Sequence, residues 1–180
     1  MKKKLVCLLL TLGLCLSLAA CGADPAPAET SAPAETPAPA EAPAPELAFR
    51  FATTDRDGNA WNENAFAGQK LTMINFWEPW CPPCVGEMPD LERLYQDYAE
   101  RGFVILGVYA TPDQEEDVDA VLAQTGVSYP ILHYCPEFDV FQTGYVPTTV
   151  FINAQGEIVG ETQIGGRDYE SWAEIIEGLL

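Results

Sequence analysis

The stretch that most constrains the fold is residues 71–89, LTMINFWEPWCPPCVGEMP, where an apolar run leads into a pair of cysteines. Residues 71–77 are mostly apolar, β-branched or aromatic, a composition that predicts a buried central strand. Pro82 directly follows Cys81, and proline suits the first position of a helix, where its missing N–H costs nothing. The sequence therefore predicts a strand, a two-cysteine turn and a helix that begins at the thiols.

The predicted helix start gives the two cysteines different chemistry. The helix dipole and the free N–H groups of the first turn stabilise a thiolate, so an exposed Cys81 is the candidate nucleophile. Cys84, buried one turn inside, is close enough to attack a mixed disulfide at Cys81 and form a Cys81–Cys84 disulfide. The alternatives are a static disulfide or half of a zinc site, but Cys135 and His133 lack the second paired spacing that zinc sites show. We expect a redox couple and no metal site.

The residues around the cysteines also resemble a known family. The segment FWEPWCPPC, Glu87 after it and the later Val146-Pro147-Thr148 resemble the TlpA/ResA/CcmG-like thiol-disulfide oxidoreductases of the thioredoxin superfamily, over roughly residues 47–180. The resemblance implies a thioredoxin-like fold, disulfide exchange without a cofactor, and a membrane thiol carrier of the CcdA/DsbD kind as electron donor. It also matches Pro147 to a cis-proline whose loop, with Val146, faces the cysteines and binds the substrate.

Glu87 is a candidate proton acceptor for the second cysteine. It lies three residues after Cys84, so on a helix it shares the side of that sulfur. The resemblance implies a functional glutamate at this position, and Asn75 replaces the buried strand aspartate of thioredoxins. The alternative is a solvated acid on the helix face that only favours the helix dipole.

Two residues beside the motif bear on substrate contact and on rival functions. Trp80 is expected, with Pro82, to form the contact surface around Cys81. Glu78 departs from the small or neutral residue usual in the family, and its charge would oppose thiolate formation if it pointed at the sulfur. It also stands where thiol peroxidases, a rival enzyme class, place a threonine. Copper-handling thioredoxin-fold proteins are a rival binding class, and their pattern is a CxxxC pair with a distant histidine. This chain instead has a CxxC pair, and its single histidine is His133.

The N-terminal segment, residues 1–20, has the features of a secretory signal, with three consecutive lysines before an apolar stretch too short to span a bilayer. The signal segment ends at Ala20, and Leu18-Ala19-Ala20-Cys21 resembles the lipobox of bacterial lipoproteins, which makes Cys21 the candidate lipid attachment site. An ordinary secretory signal with an incidental cysteine is the alternative. Residues 21–46 are almost entirely Ala, Pro, Glu, Thr and Ser, which predicts a disordered tether. We expect a lipid-anchored protein on the extracytoplasmic side of the cell membrane.

The charge of the chain restricts its partners. Nine basic and 27 acidic residues give a formal net charge of −18, and removal of the lysines at 2–4 would make it −21. Nucleic acids and anionic lipid surfaces both require cationic patches. We therefore expect no nucleic-acid partner, and instead exported proteins that carry disulfides.

The remaining residues, 47–180, have a suitable length for one domain with one core. After an initial strand or hairpin with a turn at Asp57-Gly58, apolar segments predict strands at 104–110, 129–132, 148–152 and 158–164. Thr111 and Gln114 have the spacing of a capping box for one helix, and Asp168 is placed to cap the last helix. This alternation predicts an α/β domain with a mixed central sheet flanked by helices.

Overall fold

A computed structural model describes residues 48–180. The expected signal peptide at 1–20, the lipidation site Cys21 and the tether up to residue 46 lie outside these residues. Between residues 48 and 180, no helix has both the length and the apolar character needed to cross a membrane.

The described chain begins with a small hairpin, as the Asp57-Gly58 turn predicted. Strands β1 (Ala52–Thr54) and β2 (Ala60–Asn62) pair antiparallel in a sheet of their own. The carboxylate of Asp55 accepts hydrogen bonds from the backbone N–H groups of Asp57 at 3.0 Å and Asn59 at 2.8 Å. Gly58 has φ +82°, a left-handed conformation that favours glycine.

A five-stranded mixed sheet forms the centre of the domain and confirms the predicted fold class. Its strands are β3 (Leu71–Phe76), β4 (Phe103–Tyr109), β5 (Ile131–His133), β6 (Thr148–Asn153) and β7 (Ile158–Ile164), in the spatial order β5-β4-β3-β6-β7. The pairs β3–β4 and β4–β5 are parallel, whereas β3–β6 and β6–β7 are antiparallel. All six residues of β3 are buried, as expected for the central strand.

The two faces of the sheet are covered differently. The helices α1 (Pro82–Tyr98), α2 (Glu115–Thr125) and α3 (Tyr169–Leu179) contribute their buried apolar residues to a single cluster that contains both Cys81 and Cys84. The opposite face packs against phenylalanines from the N-terminal segment and from short 3-10 turns. These include Phe51, Phe66, Phe138 and Phe141. Each such buried ring contributes about 1.5–3 kcal/mol relative to exposure.

The helix starts agree with the sequence at α1 and α3 but not at α2. The Asp168 carboxylate accepts the Ser171 N–H at 3.0 Å and caps α3 as predicted. The predicted capping box at Thr111 is wrong: residues Pro112–Gln114 form a 3-10 turn, and α2 begins at Glu115. The Thr111 hydroxyl donates to the carboxylate of Glu78, so it does not cap the helix.

The described chain begins at the end of the sheet remote from the cysteines. The N–H groups of Ala48 and Phe49 donate to the carbonyls of Gln155 and Gly156, both at 3.0 Å, in the turn between β6 and β7. In the register of β3 with β6, Leu71 pairs with Asn153 beside this turn, whereas the other end of β3 pairs with Thr148. The cysteines follow that second end.

Candidate active site

Cys81 and Cys84 form a disulfide at the N-terminus of α1, with an S–S distance of 2.07 Å. Cys81 occupies the N-cap position in extended conformation, and Pro82 is the first helical residue, as predicted. The Cys84 N–H donates to the Cys81 sulfur at 3.3 Å. The expected contrast between an exposed Cys81 and a buried Cys84 is wrong for this oxidised form, because their exposed fractions are 4% and 1%.

The loop before β6 lies against the Cys81 sulfur. The Val146–Pro147 peptide bond is cis. The Val146 carbonyl oxygen is 3.6 Å from Cys81 Sγ. A disulfide sulfur has no proton, so this is a contact here, and in the dithiol form the Cys81 thiol can donate to the same oxygen. The structure thus brings Val146 and Pro147 together with the cysteine pair.

Glu87 lies on α1, three residues after Cys84, and its side chain is buried with an exposed fraction of 4%. Its Oε1 accepts the side-chain amide of Asn75 at 3.0 Å, and its Oε2 accepts the Arg167 backbone N–H and the Trp172 indole N–H, both at 3.0 Å. Burial raises the pKa of Glu87, and the three hydrogen bonds oppose this effect without cancelling it. The alternative of a solvated acid on the helix face is therefore wrong.

The loop between β7 and α3 supports the site, a role that the sequence analysis missed. The Gly165 N–H donates to the Pro147 carbonyl at 2.9 Å, and Arg167 supplies one of the donors to Glu87. A Cβ at Gly166 would lie 2.8 Å from the Pro83 carbonyl oxygen, so only glycine fits against the start of α1. The Gly165-Gly166 pair before α3 was the available signal, since paired glycines often mark close backbone approach.

Glu78 is also buried, with an exposed fraction of 6%. Its carboxylate accepts hydrogen bonds from the Ala110 backbone N–H at 2.9 Å and from the Thr111 hydroxyl. It therefore joins the loop before the cysteines to the end of β4. The sequence singled out Glu78 by its position but gave no sign of these partners.

Exposed apolar side chains, called here the exposed rim, lie next to Cys81 and Val146 in the chain. Trp80 is 61% exposed and Pro82 is exposed beside it, while Val146 is half-buried. Tyr145, which the sequence analysis did not single out, is 68% exposed next to Val146. Large apolar side chains at the surface commonly mark contacts with other proteins.

Cys135 and His133 lie apart from this site. Cys135 is a free, buried thiol in the phenylalanine-rich cluster on the other face of the sheet, and burial with the neighbouring Glu137 raises its pKa to about 11. His133 Nδ1 lies 3.1 Å from the Thr54 carbonyl oxygen. Among the residues that the structure describes, no group of three or more histidine, cysteine or acidic side chains is arranged to hold a metal ion.

Comparison with known proteins decides the family. The AhpC/TSA family model matches residues 41–160, about two thirds of the chain. The chain belongs to the AhpC/TSA family. Among curated proteins, it is 35% identical over 134 residues to the thiol-disulfide oxidoreductase ResA of Halalkalibacterium halodurans, covering 73% of this chain and 74% of the relative. It is 31% identical to ResA of Bacillus thuringiensis (strain Al Hakam), covering 72% of each chain.

A solved structure supports the thioredoxin-like fold of this chain. This AhpC/TSA family member superposes on a thiol:disulfide interchange protein of the thioredoxin family from Chlorobium tepidum with a TM-score of 0.64 and 27% identity, covering 78% of this chain and 99% of the other. The ResA relatives and the cysteine pair together make it a thiol-disulfide oxidoreductase with a thioredoxin-like fold.

Proposed function

We propose that the protein is a membrane-anchored, extracytoplasmic reductase of disulfides in exported proteins. The observation that carries this proposal is the position of Cys81, at the start of α1, with its sulfur against the Val146 carbonyl. The exposed rim of Trp80, Pro82 and Tyr145 offers a surface on which a substrate polypeptide can lie. An extended substrate segment there would bring its disulfide to Cys81.

Reduction then proceeds in two exchange steps. In the dithiol form, the Cys81 thiolate attacks one sulfur of the substrate disulfide, forms a mixed disulfide and releases the other substrate sulfur as a thiolate. The Cys84 thiolate attacks the Cys81 sulfur, closes the Cys81–Cys84 disulfide and releases the second substrate thiolate. The substrate gains two electrons and the protein loses two, so a membrane dithiol carrier of the CcdA/DsbD kind must restore the dithiol form.

Glu87 has the properties of the proton acceptor for the second step. Cys84 is buried, and burial disfavours its thiolate, so a base must take its proton. Burial also raises the pKa of Glu87, which brings its proton affinity closer to that of a thiol. Asn75 donates to Glu87 at 3.0 Å and holds the carboxylate between strand β3 and helix α1.

The direction of the reaction is tested by trapping. The Cys84→Ser variant cannot resolve a mixed disulfide, so in cells it should accumulate covalent adducts with exported proteins. A matched Cys81→Ser variant should accumulate none. Adducts formed only through Cys84 would reverse the assigned order of the two sulfurs. If the trapped partners stay reduced, and not oxidised, in cells that lack the protein, the result would support disulfide formation instead of reduction.

Two features of the sequence support the proposed lipid anchor. They are the lipobox-like Leu18-Ala19-Ala20-Cys21 and the tether-like composition that follows. Cys21→Ala should abolish lipid attachment and give either soluble protein or protein with an uncleaved signal segment. Its purified domain should still reduce insulin at the unchanged rate. Unchanged processing and membrane retention in this variant would contradict a lipid at Cys21.

The rival functions have direct assays. A thiol peroxidase would consume hydrogen peroxide with a thiol donor, but the position of its threonine is taken by Glu78, whose carboxylate is bonded to Ala110 and Thr111. A copper-handling protein would bind copper in titration. We expect insulin reduction without catalytic peroxide consumption and without stoichiometric copper binding at the cysteine pair.

A further inference from the structure

Glu78 lies close to the nucleophilic cysteine along the chain and in space. It precedes Cys81 by three residues, and the Cys81 N–H donates to the Glu78 carbonyl at 3.1 Å, so the two residues close one turn. The turn is anchored to the sheet, because the Trp77 N–H donates to the Val108 carbonyl at 2.9 Å. A change at Glu78 therefore acts on the segment that positions the Cys81 sulfur.

The Glu78 carboxylate is bound by hydrogen-bond donors from the end of β4. Each of its oxygens accepts one hydrogen bond, one from the Ala110 N–H at 2.9 Å and the other from the Thr111 hydroxyl. An ionised carboxylate only accepts hydrogen bonds, which matches both partners. Both donors are neutral groups, so these bonds stabilise the negative charge without neutralising it.

The charge and the sulfur share a neighbour. Glu78 and Val146 line the same small cavity, together with Tyr134 and Gln142. The Val146 carbonyl is also the group that contacts Cys81 Sγ, at 3.6 Å. Glu78 and Cys81 are both almost fully buried, and charges interact more strongly in such surroundings than in water.

We propose that Glu78 sets the redox balance of the cysteine pair, by using its buried negative charge to disfavour the Cys81 thiolate. This inference rests on the proposed reductase function and deepens it. A less stable thiolate raises the free energy of the dithiol form relative to the disulfide form. The protein then gives up its two electrons to a substrate disulfide more readily, and Glu78 is a positioning and tuning residue for a reductant.

A purely structural role for Glu78 makes a different prediction. If Glu78 only connects the cysteine loop to the end of β4 through its hydrogen bonds, then loss of a hydrogen bond should change the redox equilibrium and loss of the charge should not. Glu78→Gln keeps the shape and can still accept from Ala110, but it removes the charge. Thr111→Val is the matched control, since it removes a hydrogen bond to Glu78 and keeps the charge.

The experiment measures two quantities on the full chain, purified in detergent. The first is the equilibrium of the Cys81–Cys84 pair against a dithiothreitol buffer. The second is the alkylation rate of Cys81 against pH in a Cys84→Ser background, followed by mass spectrometry of the peptide that contains Cys81. The other buried carboxylate of the site, Glu87, and the charged Arg167 are unchanged in every variant.

We expect Glu78→Gln to move the equilibrium at least threefold toward the dithiol, which corresponds to about 14 mV at about 29.6 mV per tenfold change. The midpoint of Cys81 alkylation should shift to lower pH. Glu78→Thr, a second neutral variant, should move both quantities in the same direction. Thr111→Val should leave the equilibrium within about twofold of the unchanged protein, a margin that corresponds to about 9 mV.

Two results would overturn the proposal. One is an unchanged equilibrium and alkylation midpoint in both neutral variants. The other is a shift in Thr111→Val equal to that in Glu78→Gln, which would assign the effect to loop position instead of charge. Failure of the reductase function is seen separately, as an absence of trapped substrates with Cys84→Ser, and leaves this equilibrium measurable.

Discussion

Two buried glutamates border the cysteine pair in the sequence, and the structure holds them differently. Glu87 receives hydrogen bonds from three separate parts of the chain, through Asn75 on β3, Arg167 before α3 and Trp172 on α3. Glu78 receives its hydrogen bonds from two consecutive residues at the end of β4. Burial raises the pKa of Glu87, which suits it to exchange a proton. The comparison shows that two almost equally buried carboxylates are bound to different parts of the fold, so burial alone does not assign a role to either of them.

The proposed roles of the two glutamates require that the two sulfurs act in a fixed order. Substitution of each cysteine tests this order and should have the largest effect. Cys81→Ser should reduce insulin reduction to the uncatalysed background, because no nucleophile remains at the start of α1. Cys84→Ser should still attack and should stop at the mixed disulfide. Non-reducing gels and mass spectrometry would detect the adduct, and a stable adduct of Cys81→Ser would contradict the assignment.

The role of Glu87 as a base is tested by kinetics. Glu87→Gln should slow the resolution of the mixed disulfide about 100-fold, within the range of general-base effects, and should change the initial attack far less. Stopped-flow measurements on a labelled disulfide peptide separate the two steps. Glu92→Gln is the matched control, because Glu92 is another buried acid on α1 but accepts its hydrogen bonds from Ser128 and Gln96. Equal slowing of both steps would contradict the assignment of Glu87 as base.

The same substitution should lower stability. All three partners of Glu87 are donors, so the amide of Gln must face at least one of them with its own N–H₂ group. One buried donor left unpaired costs about 1–3 kcal/mol. Urea unfolding of oxidised Glu87→Gln against the unchanged protein measures this loss, and equal midpoints would contradict it.

The pH dependence of this stability difference has a definite sign. The pKa of Glu87 is raised from 4.5, so above this pH the unfolded chain loses the proton while the folded chain keeps it. The folded state then binds more protons, and the free energy of unfolding falls as pH rises through the folded pKa. The advantage of the unchanged protein over Glu87→Gln should therefore be largest at about pH 4.5 and below and should shrink toward neutral pH. A difference in the free energy of unfolding that grows with pH over this interval would contradict the raised pKa of Glu87.

The smallest effect is expected at Cys135, a buried thiol at the start of the short 3-10 helix Pro136–Phe141 and not of an α-helix. Its pKa of about 11 should protect it from iodoacetamide at pH 8, under conditions that alkylate Cys81 in the reduced protein. Cys135→Ala should leave insulin reduction unchanged and cost about 1 kcal/mol of stability. Rapid alkylation of Cys135 in the folded protein would contradict the burial that the structure assigns to it.

The sequence predicted the parts of the molecule that depend on local pattern. The apolar run of β3, the proline after Cys81 and the Asp168 cap each act within a few residues, and the structure has the expected elements there. Thr111 shows where local pattern fails. Its spacing to Gln114 suits a capping box, but a buried carboxylate 33 residues earlier in the chain competes for its hydroxyl, and the long-range partner wins.

The hydrogen bonds that hold Glu87 also join residues that are far apart in the sequence. Arg167 and Trp172 reach Glu87 across 80 and 85 residues. Their positions depend on the packing of α3 against α1, which no window of the sequence encodes. The candidate residues were therefore predictable as chemistry, whereas their partners were set by tertiary structure.

The described chain joins the sheet at the end opposite to the cysteines. Ala48 and Phe49 are fixed to the turn between β6 and β7, at the opposite end of the sheet from Thr148 and the cysteines. A strand of six residues is about 20 Å long. Any support attached upstream of residue 48, whether a resin, a biosensor chip or a lipid leaflet, therefore joins the domain at the end of the sheet opposite to the disulfide and leaves the disulfide end uncovered. Immobilisation through the N-terminus should preserve access to the active site, and attachment through residues near Trp80 should block it.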